Sequence, residues 1–394
     1  MSLLLIAALT FTSVAQTARP SSTDAVRVAS SGTHTLVIAP DGTVLCQGRN
    51  QYGVCGVDAA TAFVAKLSPV PGVPKGRAVA VADPWTSMVL GDDGRVYVWG
   101  QNNFGLLGGT DRGPTFVRPQ PTPVAGLERV IDIAAFVQGG AALREDGTVW
   151  MWGEDREGLL GTGVLTPSWR SGKSQFTPQR VAGLDAVVQI VGGANYMLAL
   201  TAEGTVWAWG ANKYAQLGLG DTEPRAIPTK IPSLSGVSRI HAEGSMSAAR
   251  LANGSWVTWG SAPSTQPPTR DVFGGVRNDT PPVLAPSPLP GLLRDATDLA
   301  VGAAAFRDGT VRTWGGNSFG SLGTGGSVDA TSAGGVLVRS LSGIVRVWAG
   351  GNRCFALKSD GTFYMWGPSG SEDAGVFRVP TVMATFTLDP TRQP

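Results

Sequence analysis

Residues 203–218 read EGTVWAWGANKYAQLG, and the rest of the chain repeats them. Residues 93–108 read DGRVYVWGQNNFGLLG, residues 146–161 DGTVWMWGEDREGLLG, and residues 308–323 DGTVRTWGGNSFGSLG. Weaker copies are DGTVLCQGRNQYGVCG at 41–56, NGSWVTWG at 253–260 and DGTFYMWG at 360–367. The opening glycines, Gly42, Gly94, Gly147, Gly204, Gly254, Gly309 and Gly361, recur every 50 to 57 residues. A period of that size denotes propellers, solenoids or arrays.

An acidic residue followed by Gly between two apolar runs predicts a hairpin, here through a type I′ turn with Gly supplying the positive φ. In the fourth copy the flanking runs are 196–200 and 205–209, with a third at 187–191. Residues 178–181 read as a short edge strand of the same repeat, because Pro178 cannot donate to an inner ladder. Within 205–209, Val206 and Ala208 face one way and Trp207 and Trp209 the other, so both faces are buried. Four short strands per repeat, apolar on both faces and without helical periodicity, predict propeller blades. The expectation is an all-β chain: a seven-bladed β-propeller of four-stranded antiparallel blades.

Length alone, 394 residues, suggests two or three domains, but the repeat makes residues 22–390 a single propeller. Its 54 Gly suit turn-rich blades, and 42% hydrophobic content argues against disorder. A net charge of +2 with scattered Lys and Arg speaks against a nucleic-acid partner. Residues 1–15, MSLLLIAALTFTSVA, carry an apolar run too short to span a bilayer and a small-x-small site at Ser13–Ala15. They read as a signal peptide, although no Lys or Arg precedes the apolar run; the other reading is an irregular apolar tail or a misassigned start. No other segment is long and apolar enough to cross a membrane. Residues 376–387 resemble a strand that opens a repeat, yet no repeat follows. The expectation is that this C-terminal strand closes the ring by completing the sheet begun at the N-terminus.

Two halves of the repeat, GTHTLVI at 32–38 and WGQNNFGLLG at 99–108, resemble the regulator of chromosome condensation repeat. The resemblance covers nearly everything after residue 15 and implies a seven-bladed propeller. It implies less about activity, since the fold hosts unrelated functions. Eukaryotic members include a nuclear guanine-nucleotide exchange factor. Secreted bacterial members include inhibitors that clamp β-lactamases with one propeller face. The signal-like start favours an exported, bacterial type. The family His is kept only at His34, with Tyr196, Met246 and Arg353 at related places, so the position reads as structural.

Neither His34 nor His241 stands in a metal-ligand spacing, no nucleophile elbow precedes a helix, and the glycine-rich stretches lack a phosphate-loop Lys. No enzyme, cofactor or metal is therefore expected. The repeat tryptophans Trp99, Trp152, Trp209, Trp259, Trp314 and Trp366 are expected to pack between blades, and Gly94, Gly147, Gly204, Gly309 and Gly361 to make the turns. Trp150 and Trp207 read as core, Trp85 and Trp348 as buried on inner strands, and Trp256 fits no position. Of three cysteines, Cys46 and Cys55 are the candidate disulfide; the alternative is small buried thiols.

The functional expectation is a monomeric, exported or envelope-located propeller that binds a protein partner. Two connections stand out: 164–176, with Trp169 and Arg170, and 261–291, with Arg270 and Phe273. Aromatics and Arg commonly dominate binding energy, and these four residues are the candidate anchors; the other reading makes both connections spacers. An exchange-factor-like regulator of a small GTPase is the alternative, and an enzyme acting at the propeller axis ranks last.

Overall fold

The computed structural model describes residues 26–82, 85–102, 104–108, 116–137, 139–166, 174–261, 269–270, 276–277, 282–289, 291–300, 302–314, 317, 319–326, 335–368 and 375–388. Seven four-stranded antiparallel sheets follow one another along the chain. The third blade is typical: Val130–Phe136, Gly139–Arg144, Val149–Glu154 and Ser174–Arg180 pair in sequence order. First strands of neighbouring blades lie beside one another, Arg27–Ser30 of the first meeting Ile344–Gly350 of the seventh, so the blades form a ring with first strands innermost. Among the described residues there is no α-helix, and no helix is long and apolar enough to cross a membrane.

Each repeat motif makes the hairpin between second and third strands, but not with the expected turn. In the first blade Gly42 N donates to Ala39 O and Ala39 N to Thr43 O, both at 2.9 Å. That is a three-residue loop in which only the Gly is left-handed, with φ 83°. A type I′ turn would also need positive φ at Asp41, which is not so. The Asp instead braces the loop from its side chain. Its carboxylate accepts the amide two residues on, as in Thr43 N to Asp41 Oδ1 at 2.9 Å and Thr148 N to Asp146 Oδ1 at 3.0 Å. The glycines at 94, 147, 204, 309 and 361 all have φ between 74° and 89°.

Alternation within the third strand decides the packing between blades. Trp209 and Trp207 pack with Leu159 and Leu160 of the third blade, whereas Val206 and Ala208 face the fifth. Each fully buried Trp also donates its indole N–H to a carbonyl of the preceding blade. Trp99 bonds Val54 O, Trp152 Leu106 O, Trp209 Leu159 O, Trp259 Gln216 O and Trp366 Ser321 O, each at 2.8 Å. All five carbonyls lie in the turn that ends Leu-Gly or its variant. The turn is held by the residue after Trp-Gly-x: Asn102 Oδ1 accepts from Leu107 N at 2.9 Å, and Asn212 Oδ1 from Leu217 N at 3.0 Å. The sequence after Trp259 lacks the motif that builds this turn, and Trp314 of the sixth blade is accordingly only partly buried, against expectation. Trp150, Trp207, Trp85 and Trp348 are also only partly buried.

The strand carrying Pro178 lies at an edge, but of the preceding blade: it pairs with Trp150 and Met151, not with the 187–192 strand. The sequence repeat is thus offset by one strand from the blade. The same offset corrects the closure. Val376–Thr385 pairs with Thr362–Pro368 as the outer strand of the seventh blade, while the first blade has four strands of its own. The C-terminal segment closes the ring by packing instead. Phe386 N donates to Gly361 O at 2.9 Å, as Val130 N does to Gly94 O at the second junction, and Phe386 packs with Val26 and Val37 of the first blade. Every outer strand longer than two residues contains Pro, including Pro69, Pro121, Pro178, Pro228, Pro286 and Pro380, which removes a donor from an exposed edge.

Candidate interaction face and the links between blades

Topology sorts the loops. Hairpins carrying the acidic-Gly motif and the links from one blade to the next leave one face. Turns between first and second strands and connections between third and fourth leave the other. The connections at 164–173 and 261–282 join third to fourth strands in the third and fifth blades, so both belong to this second face. Trp169, Arg170 and Phe273 lie outside the described residues. Arg270 is described only in its backbone, where Thr269–Arg270 pairs with Val276–Arg277.

The family His is a link between blades. His34 is fully buried, and its Nε2 lies 2.8 Å from Ser87 Oγ on the second blade. Ser87 donates onward to Val54 O at 2.7 Å, the carbonyl that Trp99 uses, so Nε2 carries the proton. Burial, and then the charge of Arg353, pushes the His34 pKa down to about 3. In the fourth blade Tyr196 takes its place: Ser247 Oγ lies 2.8 Å from both Tyr196 Oη and Gln216 O, the acceptor of Trp259. Arg353 takes it in the seventh blade and reaches the first. There Nη1 donates to Ser31 O at 2.9 Å and to Thr35 Oγ1 at 3.4 Å, while Nε donates to Pro368 O of its own blade at 2.7 Å. Three unlike side chains thus meet a hydroxyl at one position of the next blade, which makes the site structural.

A second set sits one strand closer to the axis, at the third position of the first strands of the third, fourth and sixth blades. Asp132 accepts from Ile190 N at 3.3 Å across the third junction. Gln189 both accepts from Ile240 N, at 2.9 Å, and donates to Ile240 O, at 3.0 Å. Asp298 accepts from Val347 N at 3.0 Å and Arg346 Nε at 3.1 Å, with Arg239 Nη1 at 3.3 Å. Burial raises the Asp132 pKa to about 6, opposed by the amides of Ile190 and Ile133. Sequence reading missed this set. Its signal was the recurrence V-x-D-I, V-x-Q-I, V-x-R-I, in which one polar residue interrupts an apolar inner strand.

His241 lies on the fifth inner strand, its Nε2 3.9 Å from Glu243 Oε2 and without a hydrogen bond. Burial lowers its pKa to about 4, aided by Arg239. No group of three His, Cys, Asp or Glu side chains that could hold a metal occurs among the described residues. Cys46 and Cys55 form a disulfide with Cα atoms 5.3 Å apart, and Cys354 is a buried thiol. On the opposite face a shallow cleft is lined by Arg129, Arg144, Glu145 and Asp146. Its cations are engaged: Arg129 pairs with Glu145 at 2.8 Å, and Arg144 lies 4.2 Å above the Trp150 ring.

Fold and site together define a repeat β-propeller scaffold whose internal polar groups join blade to blade. Residues 8–333 match the profile of the RCC1-like domain, and the chain belongs to that family. It is 30% identical to the human E3 ubiquitin-protein ligase HERC2 over 301 residues, 72% of this chain and 6% of HERC2. It is 26% identical to the Arabidopsis thaliana ultraviolet-B receptor UVR8 over 292 residues, 71% of this chain and 62% of the receptor. The chain thus spans a small part of the first relative and under two thirds of the second. Among solved structures, Saccharomyces cerevisiae Prp20p superposes with a TM-score of 0.56 at 20% identity, covering 91% of this chain and 76% of that one. Human WBSCR16 gives 0.55 at 18% identity, covering 91% and 81%. These two likenesses concern the fold.

Proposed function

We propose that this protein is an exported, protein-binding propeller without catalytic chemistry of its own, its partner held on the face of the third-to-fourth-strand connections. The observation that carries the reading is the division of labour between interior and loops. Buried polar side chains from His34 to Arg353 are committed to neighbouring blades, whereas the length variation lies in connections leaving one face. Trp169, Arg170, Arg270 and Phe273 are the proposed anchors. Export rests on the signal-like residues 1–15 and fits the disulfide, since such bonds persist in oxidising compartments.

A second reading is an exchange-factor-like role toward a small GTPase. It is motivated by the fold likeness to Prp20p, whose solved structure is described together with its binding to Gsp1p and histones. One experiment separates them. The full chain and its four single Ala variants are immobilised and challenged with extracellular proteins of the source organism, and melting is measured in parallel. Capture lost at unchanged melting supports the binding face. Retention by all four variants sinks these anchors, and accelerated guanine-nucleotide release from a small GTPase favours the second reading.

A further inference from the structure

Six of the seven junctions share a backbone bond among the described residues. The motif Gly of one blade accepts from the residue that begins the next, as Gly204 O does from Val237 N at 3.0 Å and Gly309 O from Ile344 N at 3.0 Å; at the closing junction Phe386 N takes that place. Between the fifth and sixth blades this bond is missing: Gly254 O and Ala296 N do not meet. Among the described residues, a Cβ built on Gly254 would find only Arg250 Nη2, at 3.8 Å, whereas at Gly309 it would lie 2.6 Å from Gly343 N of the next blade.

Sequence explains the gap. Each outer strand hands over at a residue whose amide bonds the third strand, such as Val181 to Val149 O and Leu289 to Trp256 O. From Val124, Val181, Ile231 and Val338 the next blade begins six residues later; from Leu289 it begins seven later, at Ala296. The extra residue falls in the 3₁₀ turn Gly291–Asp295.

Every other recurrent fastening is also weakened there. The fifth repeat lacks the motif for the turn whose carbonyl would receive the Trp314 indole. Trp256 occupies the position held by Val206 and Val311 elsewhere, and its Nε1 is buried without an acceptor. Arg239 stands where Asp132 and Gln189 accept a neighbour's amide, and Arg cannot accept. Among the described residues the apolar cluster here is the smallest in the ring, with alanine at 248, 296 and 304. Among the polar contacts that do cross is the Arg239–Asp298 pair at 3.3 Å, with 42% of the Arg side chain exposed. The sixth blade is tied firmly to the seventh, through Trp366 and through Ser321 Oγ donating to Asn352 O at 2.8 Å.

We infer that the fifth–sixth junction is a seam at which the ring opens, the two blades parting while the connector 289–296 keeps them joined. Such local opening occurs far below the cost of global unfolding. The junction that closes the chain does not behave this way, because Arg353 and Phe386 hold it.

Native-state thiol labelling tests this on the full chain. Ala304→Cys and Ala248→Cys place a thiol in the seam; Ala199→Cys and Ala142→Cys place one between third and fourth and between second and third blades. Each variant is first checked for parental melting, and the unsubstituted chain gives the baseline from Cys354. The expected result is labelling at the seam at least tenfold faster than at the controls, with little dependence on urea. Controls should label at a rate that climbs steeply with urea, following global unfolding. Seam thiols labelling no faster than the controls, or sharing their urea dependence, would overturn the inference.

Discussion

Arg353 of the seventh blade donates from Nη1 to the carbonyl of Ser31 in the first, 322 residues away in the chain, at 2.9 Å. The same guanidinium meets Gly32 O and Pro368 O, so one buried cation joins both ends of the ring. Burial lowers its pKa to about 10, which still leaves it charged at neutral pH. Replacing it by Met keeps bulk but strands several carbonyls. Arg353→Met is expected to lower stability by about 3 kcal/mol, read as a lower urea midpoint. A midpoint equal to the parent would mean that apolar packing alone closes the ring.

Tryptophans at equivalent sequence positions should differ in cost. Trp209 is fully buried and bonded to Leu159 O, whereas Trp314 is half-buried beside the seam. Trp209→Ala is expected to cost about 3–5 kcal/mol and Trp314→Ala about 1–2. Parallel thermal melts of both variants decide; equal losses would show that exposure of Trp314 has no energetic meaning.

Acid sensitivity follows from His34. Its folded pKa, about 3, lies below the unfolded 6.5, so the unfolded chain binds an extra proton in between. Stability is therefore full above pH 6.5 and falls as pH drops toward 3, by about 1.4 kcal/mol per unit for one fully shifted group. His241, lowered to about 4, acts in the same direction. Asp132, raised to about 6, opposes them, since its folded form takes up a proton first. His34→Gln, which can still reach Ser87, should flatten the decline in urea midpoint between pH 6 and pH 4. An unchanged slope would exclude His34 as its source.

The disulfide stands where other blades have an apolar contact. Cys46 corresponds to Val98 and Cys55 to Leu107 of the second blade. Closing a loop with a sequence separation of 9 constrains the unfolded chain by about 2–3 kcal/mol. Reduction should lower the melting temperature, and Cys46→Val with Cys55→Leu should recover most of the loss, leaving a chain indifferent to reductant. Failure of the double variant to fold would show that the covalent bond is required there.

The blade architecture was legible in the sequence because its determinants are local. A Gly at positive φ, an Asp that bonds two residues on and a period-two apolar run all act within a dozen residues. Whatever depends on which strand meets which was harder. Pro178 announced an edge but not whose edge, since outer strands of adjacent repeats look alike. The burial of Trp314 depended on a turn motif missing some fifty residues earlier in another blade. Asp132, Gln189 and Asp298 were hidden because a polar residue in an apolar strand has no meaning until the neighbouring amide is placed beside it. Trp256 fitted no position because it occupies the valine site of its strand.

Each blade here is one uninterrupted piece of chain, no sheet being shared between the first and the last. Cutting at a link between blades therefore severs no hydrogen-bonded ladder. This makes the blade a cassette, and the order in which cassettes are synthesised is immaterial to the finished ring. A circular permutant that joins residue 388 to residue 26 by a short linker and begins anew at residue 291 should assemble the same molecule. Its break would fall where the native ring is already loosest, so the rearranged gene should cost the protein little.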